Sequence, residues 1–254
     1  MSLEKLEEHR RLWSRKPVLA DVYNVWFEAL GRELPAAGRV LEVGAGPGFF
    51  AEFARKRLAV RWIAADVLEA PWNDLVADAL RLPARDGTFD AIVGIDVIHH
   101  FAEPGRFFEE ASRVLVPGGH LAVVEPWVTP FSYPIYRFLH QEGCDTKLDP
   151  WHPFAKGSAK EAFEGDGGIV TGLVRSLSSE GWSRFGFGPP RVTVLNGFAN
   201  LLSLGFRERS LLPRSLAPLL LAMDERLGFM SGFFGIRALC VWRRSSIISA
   251  RREQ

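Results

Sequence analysis

The stretch "RVLEVGAGPGFFAEFARKRL" (39–58) does most to limit the folds open to this chain. An apolar, β-branched run ends directly at three glycines in five positions. Apolar residues at helical spacing follow and finish in Arg and Lys. A strand that turns on glycines into a helix opens a βαβ unit, and continuously apolar strands belong to a parallel sheet covered on both faces. The pattern recurs: "VRWIAAD" (60–66), "LVADA" (75–79), "TFDAIVGID" (88–96) and "HLAVVEP" (120–126) read as strands two to five. "EPGRFFEEASRVL" (103–115) reads as a helix with Pro104 near its start, and "PGG" (117–119) as a turn. Residues 3–30 read as helical with a break near Pro17. "GFRERSLL" (205–212) and "FGIRALCVWRR" (234–244) read as strands six and seven, with an amphipathic helix, 215–230, between them. Residues 127–190 are rich in Trp, Phe, Pro, Gly and His with weak periodicity, and read as an inserted substrate lid. The expected organisation is a single domain over 1–254: N-terminal helices (1–30), an α/β core (31–126 and 191–254) and the lid (127–190).

What the glycine loop holds is decided by its neighbours. The dinucleotide fingerprint G-x-G-x-x-G/A fits at Gly44 and Gly46 but meets Phe49 where a small residue is required. A P-loop needs Lys followed by Ser or Thr, and neither closes this loop. An acid at the end of the second strand, Asp66, is placed to accept ribose hydroxyls. A second acid, Asp78, follows the third strand and is placed for an adenine amine. Glu42, inside the first strand, would face the loop or a ligand ammonium. An adenosine carrying a cationic amino-acid tail and no phosphates suits this set, and S-adenosylmethionine is such a ligand.

"VLEVGAGPGFF", "AAD", "DALRLPARDGTFDAIVGIDVIHHF" and "RVLVPGGHLAVVEP" resemble, in order and spacing, the motifs of class I S-adenosylmethionine-dependent methyltransferases of the methyltransferase type 11 group. The resemblance covers about residues 38–126. It implies a Rossmann-like three-layer sandwich with a seven-stranded, mostly parallel sheet whose last strand is antiparallel. It also implies that Glu42, Gly44, Ala45, Gly46 and Gly48 line the methionine and ribose, that Asp66 binds the ribose with Val67 against the adenine, that Asp78 and Ala79 meet the adenine edge, and that Ile95 lies along the methionine. The bland alternatives are a tight turn at the glycines and a helix cap at Asp66.

Catalytic candidates follow the fourth and fifth strands: His99 and His100, which titrate near neutral pH, and Glu125. Trp127, Tyr133, Tyr136, His140 and His152 are the candidate acceptor contacts. The spacing of His140, Glu142, Cys144, Asp145, Asp149 and His152 matches no zinc or calcium pattern, so no metal is expected. The net charge of +1, from 31 basic and 30 acidic residues, argues against a dedicated nucleic-acid binder. Two cysteines give no disulfide framework, and a cytosolic protein is expected. The helix at 215–230, with Phe229, Met230, Phe233 and Phe234, suits either the inner face of a membrane or a packing surface on the sheet or in a homodimer. The expected activity is methyl transfer to a small or lipid-linked metabolite, O-methylation first. The rivals are a non-catalytic S-adenosylmethionine-binding regulator or scaffold and an NAD-type dehydrogenase.

Overall fold

Successive residues on a strand point to opposite faces of its sheet, and along the central strands of this protein both faces are buried. Leu41, Val43, Ile92, Leu121 and Val123 pack on one side with Phe107, Phe108, Ala111 and Trp182. Val40, Ala91, Val93, Ala122 and Val124 pack on the other with Trp26, Phe27 and Phe50. Two separate cores thus sandwich one sheet, the three-layer arrangement expected of alternating strands and helices.

The computed structural model describes residues 2–139, 143–154 and 165–246. Helices α1 (Leu3–Arg15) and α2 (Pro17–Gly31) precede β1 (Arg39–Val43), α3 (Phe49–Arg57), β2 (Arg61–Asp66), β3 (Leu75–Val76) and β4 (Phe89–Ile95). Then come α4 (Pro104–Val114), β5 (Leu115–Pro126), α5 (Ser132–Phe138), α6 (Ile169–Ser176) and α7 (Ser179–Ser183). The chain closes with β6 (Arg191–Leu195), α8 (Phe198–Ser203), α9 (Ala217–Arg226), α10 (Ser231–Phe234) and β7 (Arg237–Arg243). The strand order is β3-β2-β1-β4-β5-β7-β6. Neighbours from β3 to β5 pair in parallel, and β7 inserts antiparallel between β5 and β6. Strand order reverses between β1 and β4, so the crevice for a ligand lies at the carboxyl ends of those two strands.

Three elements differ from the sequence reading. Strand six is 191–195, not 205–212. "RVTVL" alternates, with Val192 and Val194 against the core, and it pairs with β7 from Arg191↔Val241 to Leu195↔Arg237. "PGG" is no isolated turn: β5 runs through it from Leu115, with a register irregularity against β4 between Phe89 and Ala91. Finally, the described part of 127–190 is only partly a roof. Trp182 of α7 is fully buried in an aromatic cluster with Phe108 (5.0 Å between centroids) and Trp242 (5.4 Å), and α6 packs there through Ile169, Val170 and Leu173. The aromatic richness of this segment therefore builds a core layer.

Residues 205–212 instead curl around a buried ammonium. Lys16, in the break between α1 and α2, donates to the carbonyls of Ser203 (2.5 Å), Gly205 (2.7 Å), Arg207 (2.9 Å) and Arg209 (2.9 Å). Alternate carbonyls converge on one point, so the segment has no straight edge to offer a sheet. Buried polar groups stripped of a charged partner cost about 1–3 kcal/mol each, part of which water recovers. Lys16→Met keeps the stem and removes the charge. It is expected to cost about 3 kcal/mol, roughly 6–12 °C in Tm, and to open 203–211 to proteolysis. Unchanged melting and cleavage would mean that water substitutes fully for the ammonium.

Candidate functional site

A cavity of about 920 Å³ opens at the carboxyl ends of β1 to β4. The glycine loop forms one wall. Gly44, Gly46 and Gly48 all adopt left-handed backbone (φ +62°, +50° and +78°). At two of them space also demands glycine: a Cβ on Gly44 would come within 2.6 Å of the Val97 side chain, and one on Gly48 within 2.6 Å of Trp72. Phe49, which breaks the dinucleotide fingerprint, is buried and stacks on Trp13 at 4.0 Å.

The loop's amides are already engaged. Gly46 N–H donates to Asp66 Oδ2 (2.8 Å), Ala45 N–H to the Ala65 carbonyl (3.0 Å) and Gly48 N–H to the Ala45 carbonyl (2.9 Å). A phosphate cradle requires such amides to be free, so this loop is poorly built for phosphate. From outside, Arg10 of α1 donates to the Pro47 carbonyl (2.6 Å), pairs with Glu52 (2.7 Å) and lies over the Trp72 ring (4.6 Å).

Carboxylates dominate the strand ends. Asp66 is buried, and its other oxygen, Oδ1, accepts from Leu68 N–H (2.9 Å). Each oxygen accepts one of these amides and keeps lone-pair capacity for a ligand hydroxyl. No helix follows β2 before β3, so Asp66 is not a helix cap: its Leu68 contact closes a local turn and leaves room for a ligand role. Asp78 is exposed at a turn beyond β3, which ends at Val76, and its Oδ1 accepts from Leu80 N–H (2.8 Å). Glu42 is buried and accepts from Trp62 Nε1 (2.9 Å). Burial pushes its pKa up to about 8, with Asp66 and Asp74 adding to the rise, against the Trp62 hydrogen bond and Arg55. Gly44, Ala45, Gly46, Val67, Ala79 and Ile95 also line the cavity, while Gly48 shapes the loop behind it.

Past β4 the chain enters a 3₁₀ turn, Ile98–His100, that carries His99 and His100 onto the cavity wall. Glu125 organises this turn. Its Oε1 accepts from the amides of Val97 (2.9 Å) and Ile98 (2.7 Å), and its Oε2 lies 2.6 Å from His99 Nδ1. Burial alone would raise its pKa, but His99 and the two amides hold it below the usual carboxylate range. Glu125 is fully buried and acts on the cavity through His99 rather than by reaching it. Asp96, His99 and Glu125 bring ligand atoms within 4.8 Å of one another. Each member already has a partner: Glu125 with His99, and Asp96 with Arg237.

The expected acceptor residues do not meet at the cavity. Trp127 is in the hydrophobic core. Tyr136 is buried, with its hydroxyl on the Ile236 carbonyl. Tyr133 is exposed on α5, and His152 pairs with Asp149 at 3.0 Å on the surface. His140 lies outside the described residues. The wall facing the strand ends comes instead from Lys5 and His9 of α1, Tyr23 of α2, Ile135, Leu139, Asn200, Leu201, residues 204–207 and Arg237. The signal for Arg237 was present in the sequence. An antiparallel last strand delivers its first residue to the edge where the parallel strands deliver their last. Burial drives the His9 pKa down to about 4, so this imidazole, stacked on Phe206 at 4.2 Å, is neutral.

Residues 41–123 match the family model described as a methyltransferase domain. An uncharacterized methyltransferase of Mycobacterium sp. (strain JLS) is 35% identical over 124 residues, 44% of this chain and 48% of the relative. A probable S-adenosylmethionine-dependent methyltransferase of Mycolicibacterium smegmatis is 33% identical over 144 residues, 51% and 52% of the two chains. A human probable tRNA methyltransferase 9B is 32% identical over 135 residues, 48% and 29%. The matched stretch thus spans about half or less of these relatives. Among solved structures, the complex of the Haloferax volcanii Trm112 methyltransferase activator with its putative methyltransferase partner shares the fold, with a TM-score of 0.52, 12% identity and 93% of both chains covered. Residues 41–123 thus carry a methyltransferase-domain match, and the strand order with its antiparallel β7 is the architecture expected of the class I S-adenosylmethionine-dependent methyltransferases that the chain resembles.

Proposed function

We propose that the protein transfers a methyl group from S-adenosylmethionine to an oxygen of a small or lipid-linked acceptor. The observation that carries this reading is the sharing of one cavity by Glu42, Asp66, Asp78 and His99. The cofactor supplies an electrophilic methyl group. Asp66 would hold the ribose hydroxyls, with Val67 and Ala79 against the adenine and Asp78 at its amine. Glu42, the glycine loop and Ile95 would hold the methionine portion. His99 is placed to take the proton of an acceptor hydroxyl, and Glu125 fixes the orientation of its ring and supports the charged form. His100 lines the same wall. Holding two reactants in line contributes most to such a displacement, on the order of 7–11 kcal/mol in well-aligned cases.

The acceptor wall of Tyr23, Ile135, Leu139, Leu201, Leu204 and Phe206 favours a small acceptor over a polynucleotide, whose affinity comes largely from phosphate contacts. Transfer to bulk tRNA with none to small molecules would favour the activity named for the human relative. A separate feature supports a lipid-linked acceptor. An apolar groove of about 410 Å³ is lined by Leu202, Leu211, Leu212, Leu216, Leu219 and Met223. Leu219 (69% exposed) and Phe229 (84%) stand clear of the protein, and Arg207, Arg209 and Arg214 are exposed near the groove, which Arg226 also lines. Apolar side chains flanked by arginines suit an anionic lipid surface. Among the described residues no helix is long and apolar enough to cross a membrane.

Three outcomes test this reading. Asp66→Ala should weaken S-adenosylhomocysteine binding by calorimetry about 10–100-fold, the worth of a charge-assisted hydrogen bond. Undiminished binding would leave Asp66 only as the partner of the Gly46 and Leu68 amides. Glu42 has a pKa of about 8 in the free protein and so is mostly protonated at pH 7. An arriving ammonium favours the carboxylate, so binding should release most of one proton and tighten as pH rises from about 6.5 to 7.5, below the range where an amino group itself deprotonates. Calorimetry in buffers of different ionisation enthalpy reads this release, and Glu42→Gln should abolish it. A release that persists in that variant would assign the proton to another group. For the lipid surface, flotation with phosphatidylserine vesicles should recover the protein, and Leu219→Asp with Phe229→Asp should release it. No recovery of the wild type would exclude strong surface binding.

A further inference from the structure

The cavity is electrically divided. Among the described residues, three of its four acids, Glu42, Asp66 and Asp78, come from β1, β2 and the turn after β3, on one half of the sheet edge, and the fourth, Asp96, is paired with Arg237. Arg237 begins β7, three strands from β1 on the other half, about 14 Å away at the usual strand spacing. Lys5 and Arg207 also line the cavity, and Asp96 is the acid nearest Arg237. Arg237 is 7% exposed, deeper than arginines ordinarily go. Its guanidinium lies over Trp26 at 4.9 Å, and one terminal nitrogen, Nη1, pairs with Asp96. Its Nε is buried and meets no acceptor among the described residues. Asp96 takes a left-handed backbone (φ +55°) that is uncommon outside glycine, and such strain persists where surrounding structure enforces it, most often at functional sites. Nε is too enclosed to meet a ligand, but the other terminal nitrogen, Nη2, makes no hydrogen bond to a described residue, and the side chain lines the cavity, so the guanidinium keeps donor capacity toward it.

We propose that Arg237 is the anchor of an anion subsite, and that the acceptor is an acid, carrying a carboxylate or a phosphate that this guanidinium holds. The inference rests on the methyltransferase reading and narrows its substrate class. Asp96 and His99 bring their polar atoms within 4.8 Å of each other, so an anion on Arg237 sits close to the imidazole that would take the acceptor's proton. Arg237 therefore fixes the acid group and thereby the approach of the neighbouring oxygen. The planar fork of arginine suits carboxylate and phosphate alike. Tyr23, whose phenol burial keeps neutral, adds polar surface without competing charge.

The test fractionates a metabolite extract of the source cells by anion exchange before incubation with wild-type protein and methyl-labelled S-adenosylmethionine. Label should enter acceptors from the anion-retained fractions. Phosphatase treatment of those fractions separates the two chemistries: acceptor activity that survives points to a carboxylate, and activity that is lost points to a phosphate. With the acceptor so isolated, Arg237→Gln should raise its KM at least tenfold while kcat stays within about threefold. Arg237→Lys should recover part of that loss. S-adenosylhomocysteine affinity should stay within threefold in both variants, which separates a lost subsite from a damaged fold. Label confined to unretained fractions, or an unchanged KM in Arg237→Gln, overturns the subsite and leaves the methyltransferase reading standing. Should the whole extract take no label while S-adenosylhomocysteine binds, the methyltransferase reading fails and the subsite fails with it.

Discussion

The hydrogen bond from the Gly46 amide to the Asp66 carboxylate, 2.8 Å long, joins the first strand–helix turn to the end of β2. Much of the candidate site depends on it. It consumes an amide that a phosphate would otherwise need, and it places a carboxylate where a phosphate would be repelled. The loop so arranged suits a ligand whose contact groups are hydroxyls and cations, as the proposed cofactor's are. Glu42 lies on the adjacent strand, with Ala64 opposite it in β2, and adds a second acid under the same loop. Keeping that carboxyl in an apolar layer raises its pKa, and the energy so stored is recovered when a cation arrives. Binding preference here is an electrostatic property of three strand ends, and the glycines supply only the close approach.

The N-terminal helices complete what the sheet begins. Arg10 ties α1 to the glycine loop through the Pro47 carbonyl, and Lys16 ties the α1–α2 junction to the segment after α8. Both partners are parts of the cavity wall. The chain thus uses two basic side chains, about two helical turns apart, to hold its opening residues and a late segment against the same cavity. The Trp13–Phe49 stack and the Phe49–Phe206 contact run between them and give this closure an apolar centre. A cavity closed by side-chain contacts between distant segments can open without disturbing the sheet, which substrate entry requires.

The legible part of the sequence was the part whose structure is local. The glycine turn, the period of β1, β2 and β4, and the acids at strand ends are each set within a few residues, and they form as read. Glu125 stood at a strand end too, but whether it faced the cavity or the 3₁₀ turn depended on amides of Val97 and Ile98, far from it in sequence. The segment 205–212 carries apolar ends like a strand, yet Lys16, nearly two hundred residues earlier, decides its shape. Trp127 and Tyr136 were plausible acceptor contacts by composition, and tertiary burial placed them elsewhere. Short strands such as β6 depend on a partner for their existence, so the alternation of "RVTVL" becomes decisive only beside β7.

The inserted antiparallel strand is the feature with the longest reach. Along the parallel strands, the acids on the cavity sit at or near the carboxyl ends. Reversing β7 brings the opposite end of a strand to that edge, so Arg237 arrives there from a part of the chain with no connection to the glycine-loop motifs. Its register is fixed by seven consecutive pairs with β5, from His120↔Arg243 to Pro126↔Arg237, and a slip of one residue would turn the guanidinium to the other face of the sheet. The acidic wall and the Arg237 wall of the cavity are thus encoded in separate parts of the chain. A change at Arg237 therefore leaves the pairing of β1 to β4 untouched.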